Sequence, residues 1–469
     1  MGDRKMYNLK TTYKKIVSDT ITPVQVYLKL RDVYPNSLLL ESSDYHNHEN
    51  SYSYICCNPI ASISVANNVI KEKFPDGSQS ETAITATLDV VEYIQSFKQK
   101  FKTEKNNLKF INNGLFGYTA YDAVQYFEDI KINKKAGDLA IPDLYYAVYQ
   151  NIIVINHFKN EAYIFAHTYQ SESNVEQLIQ LITAHNFAAY QFKSTKDEVS
   201  NATDADFKEH VKLAKKHCFR GDVFQLVLSR RFSQGFKGDE FNVYRALRSI
   251  NPSPYLFYFD YGNFKIFGSS PEAQLVVKDG KAEIHPIAGT FKRTGNDETD
   301  LATAQRLVKD PKENEEHVML VDLARNDLSI NCKEVKVATY KEIQFFSHVI
   351  HLVSKVLGTM RKEVGTMQVM AKTFPAGTLS GAPKYRAMEL IEQYEKTNRS
   401  FYGGAIGLMD FEGNYNHAIM IRTFLSKNHR LYYQAGAGIV SKSNPENELQ
   451  EIYNKLRALK KALDLAEEL

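Results

Sequence analysis

The chain has 469 residues and a formal net charge of +3, with 58 Lys and Arg against 55 Asp and Glu. Charges this evenly balanced create no field that would attract nucleic acid or an anionic membrane, so neither is an expected partner. The length predicts one large layered unit or two hydrophobic cores. The N-terminus lacks an apolar signal core and no run of 18 apolar residues occurs, so we expect a cytoplasmic protein without a membrane span.

The first half of the chain alternates strand-like runs with helical stretches, which predicts an α+β fold. Strands are predicted at 37–40, 60–65, 151–155 and 162–166, and a helix is predicted at 86–99. The segment KSTKDEVSNATDAD at 193–206 is polar without apolar periodicity, which is typical of a linker. We therefore predict an N-terminal lobe at 1–195 and a C-terminal lobe at 205–469.

The second half continues this mixture of helices and strands. Helices are predicted at 205–220 and 312–327, and strands at 224–232 and 255–259. The last helix is the clearest, because Asn444 can cap it and Pro445 suits its first turn. Its apolar stripe consists of Leu449, Ile452, Leu456, Leu459 and Leu463.

Two pairs of carboxylates share one spacing on predicted helices. Glu313 with Glu316, and Glu448 with Glu451, are each three residues apart and so lie on one helix face. Two such faces can hold one hard cation, and Mg²⁺ suits a few carboxylates together with water. The alternative is a solvated helix face, which Lys455, four residues after Glu451, favours.

Two glycine-rich segments allow the backbone to approach a ligand. The segment PAGTLSGAPK at 375–384 leads into a predicted helix, whose first amides can hold an anion. It is not a nucleotide-binding loop, because no Lys-Ser or Lys-Thr follows at the required spacing. A tight connection that needs glycine is the alternative. The second segment, GAGIV at 436–440, follows a predicted strand and is a weaker indication.

Two polar residues lie in apolar surroundings. His351, in FFSHVIHLVSKV, is either a hydrogen-bonded core residue or a catalytic one. Arg422, in IMIRTFL, is predicted to lie within an apolar strand and therefore needs a partner. An anionic substrate and a buried carboxylate are both candidates.

Taken in order, these segments identify the chain as resembling anthranilate synthase component I, within the wider family of chorismate-using enzymes. The match extends from about residue 22 to residue 463. It consists of the segments TPVQVYLKL, LLLES, GLFGYTAYD, GDVFQLVLSRRF, NPSPYLFY, GSSPEA, HPIAGTFKRTG, ENEEHVMLVDLARNDL, HVIHLVS, FPAGTLSGAPKYRAMELI, FYGGAIG, IMIRTFL and QAGAGIVSKSNPENELQE.

The resemblance implies a large two-lobed α+β fold, with antiparallel-rich sheets packed face to face and helices outside. It also implies a Mg²⁺-dependent lyase that converts chorismate and ammonia to anthranilate and pyruvate, the first step of tryptophan biosynthesis. The implied catalytic residues are Glu272 as the acid, His351 and Thr378. Substrate would be held by Thr290, Gly381, Tyr402, Arg422, Gly436 and Gly438. Glu316 and Glu451 would bind Mg²⁺ directly, while Glu313 and Glu448 would orient its water ligands.

The resemblance further implies a partner and an inhibitor. None of the four cysteines, Cys56, Cys57, Cys218 and Cys332, lies in a nucleophile-elbow sequence or has metal-site spacing, and all four are expected to be reduced. Ammonia would therefore come from a separate glutamine amidotransferase subunit, anthranilate synthase component II. The family's L-tryptophan feedback site maps to Glu41, Ser42, Pro254 and Tyr255. Ser51 stands where many members carry arginine, and Leu256 stands where some carry methionine.

Related activities are distinguished by residues that this chain lacks. Aminodeoxychorismate synthase large subunits typically have a lysine at the position of Ala288, where its amine adds to C2 of chorismate. Isochorismate and salicylate synthases have a lysine base at the position of Gln225. The remaining alternative is a non-catalytic paralogue that binds chorismate or tryptophan, against which both carboxylate pairs, Glu272 and His351 argue.

Overall fold

The computed structural model of the protein describes residues 5–42, 51–345 and 349–469. Within these ranges the helices are α1 (Pro23–Arg31), α2 (Val90–Gln99), α3 (Val175–Thr183), α4 (Asp204–Arg220), α5 (Phe241–Ile250), α6 (Asp297–Lys309), α7 (Pro311–Asn331), α8 (Thr366–Thr373), α9 (Gly377–Ser380), α10 (Lys384–Tyr394) and α11 (Pro445–Leu465). The strands are β1 (Tyr7–Val17), β2 (Leu38–Ser42), β3 (Tyr52–Ala66), β4 (Val69–Lys73), β5 (Gln79–Ala83), β6 (Phe101–Thr103), β7 (Leu115–Thr119), β8 (Leu144–Asn156), β9 (Glu161–Thr168), β10 (Phe192–Ser194), β11 (Val199–Ser200), β12 (Gln225–Gly238), β13 (Tyr255–Asp260), β14 (Phe264–Ser270), β15 (Ala273–Lys278), β16 (Lys281–Ile284), β17 (Ile287–Lys292), β18 (Cys332–Phe345), β19 (Val349–Met360), β20 (Gly381–Ala382), β21 (Ala405–Met409), β22 (Tyr415–Ile419), β23 (Thr423–Lys427) and β24 (Arg430–Ile439).

The strands build one mostly antiparallel sheet that is folded into two layers. The first layer runs β1-β9-β8-β3-β2-β13-β14-β23-β24-β12. The second runs β5-β4-β3-β8-β7-β21-β22-β15-β16-β19. The long strands β3 and β8 belong to both layers, and their register shifts between Pro59 and Ala61. An irregularity of this kind bends a strand, which lets it pass from one layer to the other.

Three large hydrophobic cores hold these layers together. Phe257 of the first layer and Phe116 of the second belong to the core between the two layers. A second core joins α1, α3, α4, α5, α10 and α11 to the first layer, and a third joins α2, α7 and α8 to the second layer. The fold is therefore a four-layer sandwich, with the sheets packed face to face and helices outside. The predicted α+β fold class is confirmed.

Strands from both halves of the chain share each layer. In the first layer β2 pairs with β13, and in the second β7 pairs with β21. The predicted linker contains the short strands β10 and β11, which pair with the edge of β12. The division into lobes at 1–195 and 205–469 stays a prediction.

Most predicted elements are present, with shifted ends. Helix α4 begins with a capping box built by Thr203 and Asp206, and Asn444 caps α11 as predicted. Helix α2 begins at Val90 rather than at 86, because the side chain of Asp89 accepts a hydrogen bond from the amide of Glu92 and so sets the start. In the described part of the chain, no helix has the length and apolar character needed to cross a membrane.

Candidate active site

Glu272 lies in the short connection between β14 and β15, where the side chain is half-buried. Its Oε1 atom accepts a hydrogen bond of 3.1 Å from the hydroxyl of Thr378, in α9. Burial raises the pKa of Glu272 to about 8, against the opposing effects of Thr378, Lys455 and Arg422. A carboxyl in this setting keeps its proton at neutral pH and can act as a general acid.

His351 lies on β19, and only 5% of its surface is exposed. Its Nδ1 atom is 2.8 Å from the carbonyl oxygen of Gly289, so Nδ1 carries the proton and donates it. Burial lowers the pKa of His351 to about 4. The imidazole is therefore neutral at physiological pH, and Nε2 carries the basic lone pair. Ala288, beside Gly289, pairs in register with Leu352 and is buried.

Arg422 does not lie within a strand, and the prediction that it does is wrong. It occupies the turn between β22 and β23 with a φ of 50°, a left-handed conformation that few side chains adopt. Burial lowers the pKa of Arg422, against the effect of the nearby Glu272 carboxyl. Among the described residues it forms no ion pair, and its Nη1 atom lies 3.5 Å from Asn251 Oδ1. The turn therefore places the guanidinium of Arg422 near the carboxyl of Glu272, and not among the side chains of a strand.

The two carboxylate pairs lie on α7 and α11. Glu316 accepts a 2.9 Å hydrogen bond from Gln225 Nε2. A Cβ atom at Gly289 would lie 3.2 Å from Glu313 Oε2, so this carboxylate reaches the strand next to His351. Glu448 is buried. Among the described residues, no three His, Cys, Asp or Glu side chains form a group that could hold a metal ion.

Three glycines, on β24 and at the start of β20, lie close to other groups. A Cβ atom at Gly436 would lie 2.7 Å from the hydroxyl of Tyr402, and one at Gly438 would lie 2.6 Å from Gln225 Nε2. At Gly381, with a φ of +135°, a Cβ atom would lie 2.2 Å from the carbonyl oxygen of Gln225. Only glycine lets the backbone at Gly381 approach that of β12 so closely. The structure therefore supports the tight-connection interpretation of Gly381.

An open cleft of about 380 Å³ lies beside Glu272. Thr378 and Gln274 contribute polar groups to it, and Leu320 and Leu323 of α7 contribute apolar ones. The Oε1 atom of Gln274 is buried and has no hydrogen-bond partner in the described structure. The acid therefore faces a concave, mostly apolar space with a few polar groups, which is the usual character of a small-molecule site.

Comparison with known proteins agrees with this geometry. The family profile described as chorismate binding enzyme matches residues 11–461. The chain belongs to this family. It is 37% identical to anthranilate synthase component 1 of Aquifex aeolicus, over 98% of this chain and 96% of that protein. It is also 37% identical to anthranilate synthase component 1 of Lactococcus lactis, over 96% and 98% of the two chains.

Solved structures give the same result. The crystal structure of anthranilate synthase component I from Streptococcus pneumoniae superposes with a TM-score of 0.75 at 32% identity, covering 95% of this chain and 99% of that one. The menaquinone-specific isochorismate synthase of Escherichia coli superposes with a TM-score of 0.73 at 17% identity, over 97% and 95% of the chains. The second likeness shows only that this chorismate-binding fold is shared.

From the sequence, Lys455 indicates only that this face of the last helix is solvated. The structure shows that its Nζ atom is 2.7 Å from Glu451 Oε1 and 2.8 Å from the carbonyl oxygen of Gly436. Its charge also lowers the pKa of Glu272. The spacing of four residues from Glu451 was visible in the sequence, but the proximity to Glu272 was not.

The four residues predicted to bind tryptophan meet where β2 pairs with β13. Tyr255 is in register with Ser42, Leu256 is in register with Glu41, and Pro254 immediately precedes β13. The side chain of Ser42 lies outside the described residues, as does that of Thr290 from the predicted substrate cradle.

Glu41 itself is 6% exposed and accepts three hydrogen bonds. One comes from the Tyr244 hydroxyl at 2.7 Å, and the other two come from Arg248 at 2.8 and 2.9 Å.

Proposed function

We propose that the chain converts chorismate and ammonia to anthranilate and pyruvate, the first step of tryptophan biosynthesis. The observation that carries the proposal is the acid Glu272 in its cleft, in a chain with uncharged residues at two positions where related enzymes carry lysine. Glu272 holds its proton near pH 7, while Ala288 and Gln225 supply no amine to attack the ring or to activate water. The 37% identity to two proteins named anthranilate synthase component 1 supports the same activity.

In the first step ammonia attacks C2 of chorismate, both ring double bonds shift (C1=C2 to C1=C6 and C5=C6 to C4=C5), the C4 hydroxyl departs, and the added nitrogen loses one proton. Hydroxide is a poor leaving group, so it must leave as water. Glu272 donates the proton to the C4 oxygen, and Thr378 fixes the orientation of the carboxyl through its 3.1 Å hydrogen bond. The charge of Arg422 then stabilises the carboxylate that remains.

In the second step the proton on C2 is removed and the C3–O bond to the enolpyruvyl group breaks. The C–H electrons complete the aromatic ring, and the released enolpyruvate becomes pyruvate. Neutral His351 is the base that suits this step, because its Nδ1 proton is held by the Gly289 carbonyl and Nε2 carries the lone pair.

The remaining predicted residues form the cradle for the substrate. Tyr402, Arg422 and the backbone around Gly436 and Gly438 would hold the enolpyruvyl carboxylate, with Thr290 and Gly381 completing the wall. The glycine positions support this assignment, because a side chain at Gly436 would fill the space beside the Tyr402 hydroxyl.

The carboxylates of α7 and α11 suit Mg²⁺ in their chemistry, because they offer hard oxygen donors. Glu316 and Glu451 would hold the ion, with Glu313 and Glu448 orienting its water ligands. When bound, the ion neutralises the ring carboxylate of chorismate. Gln225 supports this arrangement, because its hydrogen bond to Glu316 turns that carboxylate toward Gly438.

A second chain would supply the ammonia. Cys56, Cys57 and Cys332 are buried, and burial raises the pKa of the half-buried Cys218 to about 11, so none of these thiols suits a glutaminase nucleophile. We therefore include a glutamine amidotransferase subunit, the family's component II, as the partner. L-Tryptophan would inhibit from the site at Glu41, Ser42, Pro254 and Tyr255. A cytoplasmic location stays a prediction.

Product identification tests the proposal. The purified chain, given chorismate, MgCl₂ and ammonium chloride at pH 8.5, is expected to form anthranilate, detected by fluorescence and mass spectrometry. It is expected to form none with glutamine in place of ammonium. Aminodeoxychorismate or isochorismate as the main product would assign the chain to a sibling activity. No turnover at all would favour the non-catalytic paralogue.

A further inference from the structure

Arg399 is among the largest fully buried side chains of the described structure, with 2% of its surface exposed. Four of its five N–H donors are used. Nε and one Nη2 proton bind the two oxygens of Glu395 at 2.9 and 2.7 Å. The other two bonds go to backbone carbonyls, Leu379 at 2.5 Å and Val227 at 2.7 Å. Burial lowers the pKa of Arg399, but the Glu395 carboxylate more than offsets this and keeps the guanidinium charged.

The pair fills a gap along the edge of β12. Strand β20 covers this edge at Gln225 and Leu226, and Asn201 covers it at Arg231. Between them, Arg399 donates to the carbonyl of Val227, and Glu395 Oε1 accepts from the amide and hydroxyl of Ser229 at 2.8 and 2.7 Å. In a strand, the C=O of one residue and the N–H two residues on point to the same side. The ion pair therefore replaces the hydrogen bonds of a missing strand.

The groups that Arg399 binds are next to the substrate cradle. Leu379 follows Thr378, which holds the carboxyl of Glu272. Val227 lies two residues after Gln225 on β12. The guanidinium carbon also lies 5.8 Å from the ring centroid of Tyr402, whose hydroxyl faces Gly436.

We propose that Arg399, fixed by Glu395, is a positioning residue that sets the distance between α9 and β12 and so aligns Thr378, Gln225 and Tyr402 around the substrate. This inference rests on the proposed function. A planar guanidinium can bind the carboxylate and two carbonyls together, whereas a lysine ammonium at the same place cannot reproduce that fork. The loss of Arg399 leaves both carbonyls without this donor and frees α9 to move relative to β12.

The test compares Arg399→Lys with Arg230→Lys. Arg230 is also buried on β12, but it binds Ser200, Asp204 and the hydroxyl of Tyr453, and none of these belongs to α9. Because a displacement of about 1 Å at a reacting centre can cost roughly 10²-fold in rate, kcat/KM of Arg399→Lys for chorismate should fall by about that factor. The Arg230→Lys variant should keep the parent's kcat/KM. Both variants should lose a similar amount of melting temperature.

The alkaline limb of the pH–rate profile distinguishes a positioning role of Arg399 from a role in the stability of the fold alone. Thr378 lowers the pKa of Glu272 through its hydrogen bond, so loosening α9 should move this limb to higher pH, as Thr378→Val should also do. The other charged groups near the Glu272 carboxyl are Arg422 and Lys455. Asp327, which is paired with Lys384, lines the same cleft. The substitution leaves all four of these residues unchanged. Activity is expressed relative to the parent at each pH, which removes the titration of ammonium.

Glu395→Gln provides a milder second variant should Arg399→Lys fail to fold. It keeps an acceptor for Ser229 and should show a smaller fall in kcat/KM in the same direction. The inference is overturned if folded Arg399→Lys or Glu395→Gln keeps the parent's kcat/KM and pH limb while its melting temperature falls. A parent that makes no anthranilate from chorismate and ammonia overturns the proposed function instead, and this inference with it.

Discussion

Glu272, in the connection between β14 and β15, and Glu41, on β2, are two glutamates with opposite surroundings. Glu272 receives one side-chain hydrogen bond, from Thr378, and burial raises its pKa to about 8. Glu41 is more deeply buried, but the Tyr244 hydroxyl and the guanidinium of Arg248 supply it with three hydrogen bonds. The fold therefore gives both oxygens of Glu41 hydrogen-bond donors, whereas among the described residues Glu272 accepts a side-chain hydrogen bond from Thr378 alone.

The difference separates a carboxyl that must exchange a proton from one that holds its neighbours in place. A carboxylate with several charge-assisted hydrogen bonds fixes the positions of its partners. A carboxyl with one weak donor in an apolar cleft retains its proton near neutral pH, as a general acid requires. We therefore expect substitution of Glu272 to lower mainly the catalytic rate, and substitution of Glu41 to lower mainly the free energy of unfolding.

The largest effect is expected at Glu272. In Glu272→Gln the amide has nearly the same shape but cannot protonate the leaving hydroxyl, so kcat should fall by roughly 10³-fold. The melting temperature should stay equal or rise, because a poorly satisfied carboxyl is removed. Initial rates with chorismate, Mg²⁺ and ammonium, together with thermal denaturation, measure both. A kcat within threefold of the parent would remove Glu272 as the acid.

A smaller loss is expected from the carboxylates proposed to hold Mg²⁺. In Glu451→Ala an anionic substrate meets an incomplete site, so activity should fall by roughly 10²-fold and the Mg²⁺ concentration for half-maximal rate should rise. The control is Glu446→Ala, on the same helix, whose exposed carboxylate pairs with Lys208. Full activity of Glu451→Ala in the presence of EDTA would contradict the Mg²⁺ proposal.

The pH dependence sharpens the comparison further. The pKa of Glu272 rises from 4.5 to about 8 on folding, so kcat should fall about tenfold per pH unit above pH 8 as the acid loses its proton. The contribution of Glu272 to the free energy of unfolding is complete below pH 4.5 and is lost as pH rises to about 8. Urea denaturation of the parent and of Glu272→Gln across this range measures the loss. Parallel stability curves would contradict the raised pKa.

The smallest effect on catalysis is expected at Glu41. In Glu41→Gln the ion pair with Arg248 is lost, which should lower the free energy of unfolding by about 1–3 kcal/mol. The rate without tryptophan should stay close to that of the parent, and inhibition by L-tryptophan should weaken. Urea denaturation and inhibition curves measure these. Inhibition as strong as in the parent would place the tryptophan site elsewhere.

Local sequence signals predicted many of the helices and strands well. Thr203 with Asp206 and Asn444 with Pro445 fix the starts of α4 and α11, because caps act within one helical turn. The glycines at 381, 436 and 438 were recognisable as positions of close backbone approach. The layers were less predictable, since β3 and β8 pass between two of them through an irregularity that no short pattern encodes.

The candidate site, like the fold, was only partly predictable from the sequence. The family resemblance implied that Glu272 is the acid, and the spacing within each carboxylate pair predicted that its members share a helix face. Only the tertiary structure decided that Thr378, Arg422 and Lys455 surround Glu272. The contacts of Arg399 with two carbonyls and Glu395 were also invisible, because the carbonyl partners come from other elements.

The sequence by itself determined which side chains are available, how each helix begins and which face it presents. These properties depend on neighbours within a few residues. The tertiary structure decided which carboxyl keeps a proton, where Arg422 points and how α9 is held against β12. Burial and hydrogen bonding between residues distant in the chain fix a pKa and a catalytic distance, and both arise only when the layers have packed.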